Sequence, residues 1–169
     1  MIETAELRLN LGAWDRRMEG YLSVDVCGPH ADVIHDLNVF PWPFETSSVK
    51  AVFAHDVFEH LFDRKAVMNE LYRILEPGGL ADICVPTTEG AGACCDPTHV
   101  TYWNASFFNY WKKGNFARER FRGSDYYGVK ADFDIVEISG ESYMETITGH
   151  RGIVQEKITK VRILLEAVK

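Results

Sequence analysis

Leu9-Asn10-Leu11-Gly12, with Asp25 closing a second apolar run thirteen residues after the glycine, is the stretch that decides the fold. It reads as a buried strand over 7–12, a tight glycine turn, and a second strand over 21–26 that ends in a carboxylate. A glycine at such a turn lets the backbone approach a ligand closely. A carboxylate at the tip of the next strand can take both hydroxyls of a ribose. The pairing points to a nucleoside-type cofactor.

The chain continues in the same grammar. A short third strand is expected at 33–36, and Pro41 and Pro43 then exclude a helix interior or a central strand. The continuous apolar run 50–54 reads as a strand buried on both faces. Residues 64–75 form the clearest helix, because Val67, Met68, Leu71, Ile74 and Leu75 recur at the three-and-four spacing of one buried face. Asp63 is its expected N-cap and Pro77-Gly78-Gly79 its expected stop. A fifth strand follows at 80–86, then a loop rich in Gly, Thr and Cys, a short aromatic helix at 105–112, and two tail strands around 133–138 and 158–168. Strands alternating with helices and closed by a strand pair imply an α/β protein: a Rossmann-like open twisted sheet, mostly parallel, with an antiparallel C-terminal edge. The links at 13–20 and 27–32 are too short for ordinary crossover helices. Helices on one flank are therefore expected to be shortened or missing, leaving sheet surface for a second copy (a homodimer) or a chain end to cover.

At 169 residues, 46% hydrophobic and 25% charged, the chain suits one globular domain. It lacks an apolar stretch of membrane-spanning length, and its N-terminus lacks a secretory pattern, so a cytoplasmic location without a membrane partner is expected. A net charge of −7 argues against wholesale nucleic-acid binding while leaving it open. The segment Trp111–Lys130 runs against that balance: six basic residues (Lys112, Lys113, Arg118, Arg120, Arg122, Lys130) face only Glu119 and Asp125. With its interleaved aromatics, 105–130 reads either as a solvated insertion or as a lid over an anionic substrate. The cysteines Cys27, Cys84, Cys94 and Cys95 have neither disulfide-framework nor C-x-x-C spacing, and no metal site is assigned. Cys94 and Cys95 close to Asp96 and His99 are the one arrangement that would suggest a metal cluster.

The ordered set LNLG, GYLSVDV, DL, AHDVFEHL and ELYRILEPGGLADICVP resembles the class I S-adenosylmethionine-dependent methyltransferases, most closely the short type-11 methyltransferase domain, over residues 7–104. The best part of the match is Glu70, Arg73, Leu75, Pro77, Gly78 and Gly79. The resemblance implies an enzyme that transfers a methyl group from S-adenosyl-L-methionine to a small-molecule or glycan-type acceptor. It places the cofactor against Asn10, Leu11, Gly12, Ala13 and Trp14, its ribose on Asp25 and Val26, its adenine on Asp36 and Leu37, and its sulfur near His55. It also implies catalytic roles for His99, oriented by Asp96 in Asp96-Pro97-Thr98-His99, and for His55. Glu59 and His60 match a recurring pair that caps and orients the following helix. One departure stands out: the usual Gly-x-Gly loop is Gly12-Ala13-Trp14. That motivates an alternative, a non-catalytic cofactor-binding or regulatory module on the same fold. A nicotinamide-dependent oxidoreductase fits less well, because residues 12–17 lack the G-x-G-x-x-G fingerprint.

Overall fold

Seven strands make one sheet in the order β3-β2-β1-β4-β5-β7-β6. The structure, a computed structural model, describes residues 6–112, 114–116, 118, 127–146 and 154–169, with backbone alone at 141–146 and 154–159. In chain order the strands are β1 (Leu7–Leu11), β2 (Leu22–Asp25), β3 (Val33–Ile34), β4 (Val49–His55), β5 (Leu75–Pro86), β6 (Phe133–Thr146) and β7 (Val154–Ala167). The helices are α1 (Arg64–Ile74), α2 (Gly92–Cys95) and α3 (Ala105–Asn109), and a 3₁₀ turn covers Phe58–His60. The first five strands pair in parallel; β7 is antiparallel to both β5 and β6. This is the open, mostly parallel sheet with an antiparallel edge that the sequence implies.

Strand alternation divides the sheet into two unlike faces. Leu9, Val52, Ala81 and Leu165 stand in register across β1, β4, β5 and β7, as do Leu11, Ala54, Ile83 and Ile163 in the neighbouring rows. These side chains are buried with Val67, Met68, Leu71 and Ile74 of α1 in a single core. Asp63 caps α1 by accepting from the amides of Lys65 and Ala66 (3.0 and 2.9 Å). Aromatic residues extend the core beneath α3: Trp103 lies 4.6 Å from Phe107 and 5.6 Å from Phe108, ring centroid to centroid.

The other face carries Asn10, Phe53 and His55, then Asp82, Cys84, Arg162 and Leu164, from the alternate positions of the same strands. Neither the 12–21 nor the 26–32 link contains a helix. The expected thinning of one flank is therefore present. What lies open there is less apolar than expected, however. Asp82 accepts two hydrogen bonds from Arg162 (2.9 and 2.6 Å) and pairs with His55 (3.1 Å), whose ring stacks on Phe53 at 3.8 Å.

The Pro77-Gly78-Gly79 junction differs from expectation. The helix ends at Ile74 and Leu75 already opens β5. Leu75 pairs with Val49 and Leu80 with Ala51, so Glu76–Gly79 bulge out opposite the single residue Lys50. Gly79 is pressed there: a Cβ would stand 3.0 Å from the Glu76 carbonyl oxygen and 3.1 Å from that of Val49. Pro77-Gly78-Gly79 is therefore a bulge inside the strand rather than a helix terminator. Elsewhere β3 stops at Ile34, α3 at Asn109, and α2 forms where a loop is expected.

Glu70 and Arg73 have a scaffolding role. Buried Glu70 accepts from the Trp42 amide (2.7 Å) and from Arg73 (2.6 and 3.0 Å), while Arg73 also donates to the Trp42 carbonyl (3.1 Å) and the Thr46 hydroxyl (3.3 Å). The pair ties the Pro41–Phe44 loop to α1 and seats Trp42 in the core. Glu70→Ala is expected to destabilise the chain by about 2–3 kcal/mol, because it orphans the buried Trp42 amide and the Arg73 charge. Glu70→Gln, which keeps an acceptor, is expected to cost less; the two urea midpoints check this ordering.

Candidate functional site

The end of β1 is built around Gly12. Its φ is +62°, and a Cβ there would lie 2.2 Å from Cγ2 of Val57, so no other residue fits. The amides of Gly12 and Ala13 both donate to the Val24 carbonyl (2.8 and 3.3 Å), turning the chain across the tip of β2. Trp14 then adopts φ +44° and donates its amide to Oδ2 of Asp25 (2.9 Å). The Cys27 amide donates to Oδ1 (3.1 Å). Asp25 is 8% exposed, and the two amides fix the plane of its carboxylate. Each oxygen keeps acceptor capacity for a further donor. The Trp14 side chain is 58% exposed, so a tryptophan is accommodated where a Gly-x-Gly loop would have its second glycine.

A cavity of about 310 Å³ opens beside this loop. Gly12, Trp14, Asp25, Val26, Asp36 and Leu37 line it, together with Asp56, Val57, His60 and Leu61 from the segment after β4. The Asp36 Oδ1 accepts from the amide (2.9 Å) and the side-chain nitrogen (3.2 Å) of Asn38. Leu37 is buried, and its carbonyl receives the Trp42 indole N–H (3.0 Å). The lining thus offers a fixed acid at the end of β2, a second acid beyond β3, and apolar surface between them. A ribose and an adenine can use such a set.

Four residues that the resemblance places at the cofactor do not line the cavity: Asn10, Leu11, Ala13 and His55. Leu11 and Ala13 are packed to 1% and 2% exposure. Asn10 donates to the Arg16 carbonyl (2.7 Å), holding the 13–20 link against the sheet. His55 faces Asp82 on the face of the sheet opposite the α1 core. Burial works against the Asp82 charge, but the hydrogen bonds from Arg162 and His55 prevail and hold its carboxyl well below the usual range. The sequence missed Asp56 and His60 as lining residues, although both lie just after a parallel strand's carboxyl end, where open α/β sheets bind ligands.

Behind His60 lies a cluster formed by two segments. The amides of Val100 and Thr101 donate to the Glu59 carbonyl (2.9 and 3.0 Å), and the Thr101 hydroxyl donates to the Phe58 carbonyl (3.1 Å). This latches the Asp96–Thr101 loop onto the 3₁₀ turn. His60 and His99 meet edge to face, with ring centroids 4.9 Å apart. His99 Nε2 stands 3.9 Å from Glu59 Oε1 and 3.7 Å from Asp96 Oδ2. The Thr98 hydroxyl and amide donate to Asp96 Oδ1 (2.6 and 2.8 Å) and hold that carboxyl below its ordinary range. Cys94 and Cys95 are exposed and stand outside this group. Glu59 is 1% exposed, and neither of its carboxylate oxygens has a hydrogen-bond partner. Burial pushes its carboxyl from 4.5 up to about 7.

The folded chain therefore binds this proton more tightly than the unfolded chain. Stability should fall as pH rises from 4.5 to about 7, by up to about 3 kcal/mol, and stay low above that range. Glu59→Gln is expected to abolish this fall and to exceed the parent in stability at pH 8. Urea unfolding of both proteins at pH 5 and pH 8, in chelator-containing buffer, measures the difference.

Residues 23–83 match the family model described as a methyltransferase domain. Over 82 residues the chain is 30% identical to a Mycolicibacterium smegmatis protein described as an S-adenosylmethionine-dependent methyltransferase; the match covers 46% of this chain and 32% of that protein. The chain thus spans about a third of the length of the curated relative it matches. Among solved structures, it superposes on a chain of a Haloferax volcanii complex between a methyltransferase activator and a methyltransferase. The TM-score is 0.65 and the identity 16%, over 98% of this chain and 84% of that one. The YcgJ protein of Bacillus subtilis gives a TM-score of 0.63 at 11% identity over 98% and 93% of the two chains. A Bacillus halodurans protein described as a methyltransferase gives 0.60 at 11% identity over 97% and 93%. Residues 23–83 carry the methyltransferase-domain sequence, and the chain shares its fold with these solved structures.

Proposed function

We propose that this chain transfers a methyl group from S-adenosyl-L-methionine to an acceptor that reaches the cavity on its His60 side. The observation that carries the reading is the Asp25 carboxylate, pinned by the Trp14 and Cys27 amides and opening onto the same cavity as Gly12. Asp25 would take the ribose hydroxyls, Asp36 and Leu37 the adenine, and the Gly12–Trp14 backbone the methionine end. When bound, the cofactor supplies a methyl group on a positively charged sulfur, already strongly electrophilic. The protein's task is then to align an acceptor and keep water away. Asp56, ion-paired with Lys160 at 2.7 Å, and His60 stand on the rim where that acceptor would arrive. His99 and Asp96 act through His60 rather than at the cavity wall.

The acceptor is read as a small molecule or glycan precursor, in keeping with a net charge of −7, which argues against a nucleic-acid acceptor. The suggestion of an anionic acceptor rests on the basic segment, and two of its described members, Arg118 and Lys112, are engaged within the fold. Arg118 is 8% exposed and donates to the Ala131 carbonyl (3.0 Å), and Lys112 pairs with Asp134 (2.8 Å). Lys113, Arg120 and Arg122 lie outside the described residues. The face of the sheet that carries Asp82 and Arg162 is read as the contact surface of a homodimer; a clean monomer by light scattering at high concentration would end that reading.

Calorimetric titration with S-adenosylmethionine and S-adenosylhomocysteine tests the cofactor. Micromolar binding is expected, with a loss of about tenfold or more in Asp36→Asn, an exposed position whose change should leave stability untouched. Asp25→Ala is expected to abolish binding and also to cost about 1–3 kcal/mol, because two amides lose their acceptor. Absence of binding by the parent chain would favour the non-catalytic module that Trp14 in the loop suggests.

A further inference from the structure

We propose that Glu59, His60 and His99 form a binding site for a divalent transition-metal ion, held by one carboxylate oxygen and two imidazole nitrogens. The three donors already lie within 4.8 Å of one another, although they come from segments about forty residues apart in sequence. An ion equidistant from three donors that lie at most 4.8 Å apart would stand no more than about 2.8 Å from each when they are evenly spaced. Side-chain rotations that move each donor inward by about 0.6–0.8 Å would bring that to the roughly 2.0–2.2 Å of zinc–nitrogen and zinc–oxygen bonds.

Two independent features separate this cluster from a chance grouping. The first is Glu59, a carboxylate 1% exposed with both oxygens unpartnered. Leaving a buried charged group unsatisfied is costly, and a cation between it and the histidines would remove the cost. The second is the state of the two rings. His60 Nδ1 lies 3.1 Å from the Thr98 carbonyl oxygen, and His99 Nδ1 lies 3.4 Å from that of Ala93. A carbonyl oxygen can only accept, so each of these contacts calls for a proton on Nδ1, the arrangement that leaves Nε2 as the ligating nitrogen. Ligating histidines are commonly oriented by donating the other ring N–H to a backbone carbonyl in this way. Two imidazoles and one carboxylate suit first-row divalent ions such as Zn²⁺, Fe²⁺ or Mn²⁺ better than Mg²⁺ or Ca²⁺, which prefer all-oxygen sets. Three protein donors leave room for a further ligand, with Asp96 Oδ2 3.7 Å from His99 Nε2 as one neighbour.

The site goes beyond the methyltransferase reading and does not depend on it. Because His60 also lines the cavity, a metal here would hold an acceptor oxygen or nitrogen there, in place of a histidine acting as a base.

The test is equilibrium dialysis of the chelator-stripped full chain against Zn²⁺ and Mn²⁺, with Mg²⁺ as the hard-cation control. One Zn²⁺ or Mn²⁺ per chain is expected, with affinity falling about 100-fold or more in His99→Ala and in Glu59→Gln and unchanged in a Cys94→Ser/Cys95→Ser double variant. Co²⁺ loading is expected to give visible d–d absorption that vanishes in His60→Ala. Far-UV circular dichroism separates loss of ligands from loss of fold; Glu59→Gln, which removes a buried charge, keeps the test open should the histidine variants unfold. The proposal fails if the stripped parent chain binds neither Zn²⁺ nor Mn²⁺, or if binding survives in folded His99→Ala or Glu59→Gln. It also fails if binding disappears with the cysteines. Cofactor titration of the same stripped protein is read separately: metal binding without S-adenosylmethionine binding would overturn the methyltransferase reading alone, and the converse would overturn the metal site alone.

Discussion

The contact between Gly12 and Val57 sets the geometry of the whole site. With 2.2 Å from a would-be Cβ to Val57, the end of β1 and the segment leaving β4 can meet only if the first residue after β1 has no side chain. The same residue supplies the positive φ that swings the chain over β2 and delivers the Trp14 amide to Asp25. On the other side of the contact, Val57 runs straight into the 3₁₀ turn that carries Glu59 and His60. One close approach therefore fixes an acid on one wall of the cavity against a histidine on the other. Loss of the turn would separate the two halves of the site at once.

The two faces of the sheet obey different physics. On the α1 side the strands bury aliphatic side chains, and hydrophobic burial there is the main source of stability. On the opposite side the short links at 12–21 and 26–32 leave no helix to bury an apolar surface. The central positions there carry an ion-paired network instead, with Asp82 shared between Arg162 and His55. A half-exposed ion pair contributes little to stability, but it spares the open face from being a large apolar patch. This division also explains His55. It follows Ala54, which is buried in the core, so strand alternation turns its side chain away from α1 and onto Asp82.

The strands and α1 were legible because their signals are local. Apolar periodicity marked α1, continuous apolar runs marked the parallel strands, and Asp63 marked the helix start. Asp25, Gly12, Asp36 and Leu37 were legible for a related reason: each sits at a strand end whose place in a parallel sheet is nearly dictated by chain order. Pro77-Gly78-Gly79 misled because a helix stop and a strand bulge call for the same residues. Only the pairing of Leu75 with Val49 distinguishes them.

The amino-acid sequence by itself determined an open α/β sheet with an antiparallel edge, thin on one flank, with a glycine turn and an acidic strand tip facing a cavity. Those features follow from side-chain periodicity, link length and turn chemistry, which are properties of neighbouring residues. Tertiary structure alone decided that His55 leaves the site, that Arg118 is buried under the Ala131 carbonyl, and that Glu59 and His60 join His99. The last of these depends on the Val100 and Thr101 amides bonding to the Glu59 carbonyl. Backbone hydrogen bonds are the same for every residue type, so no pattern of side chains along the chain could announce which carbonyl they would choose.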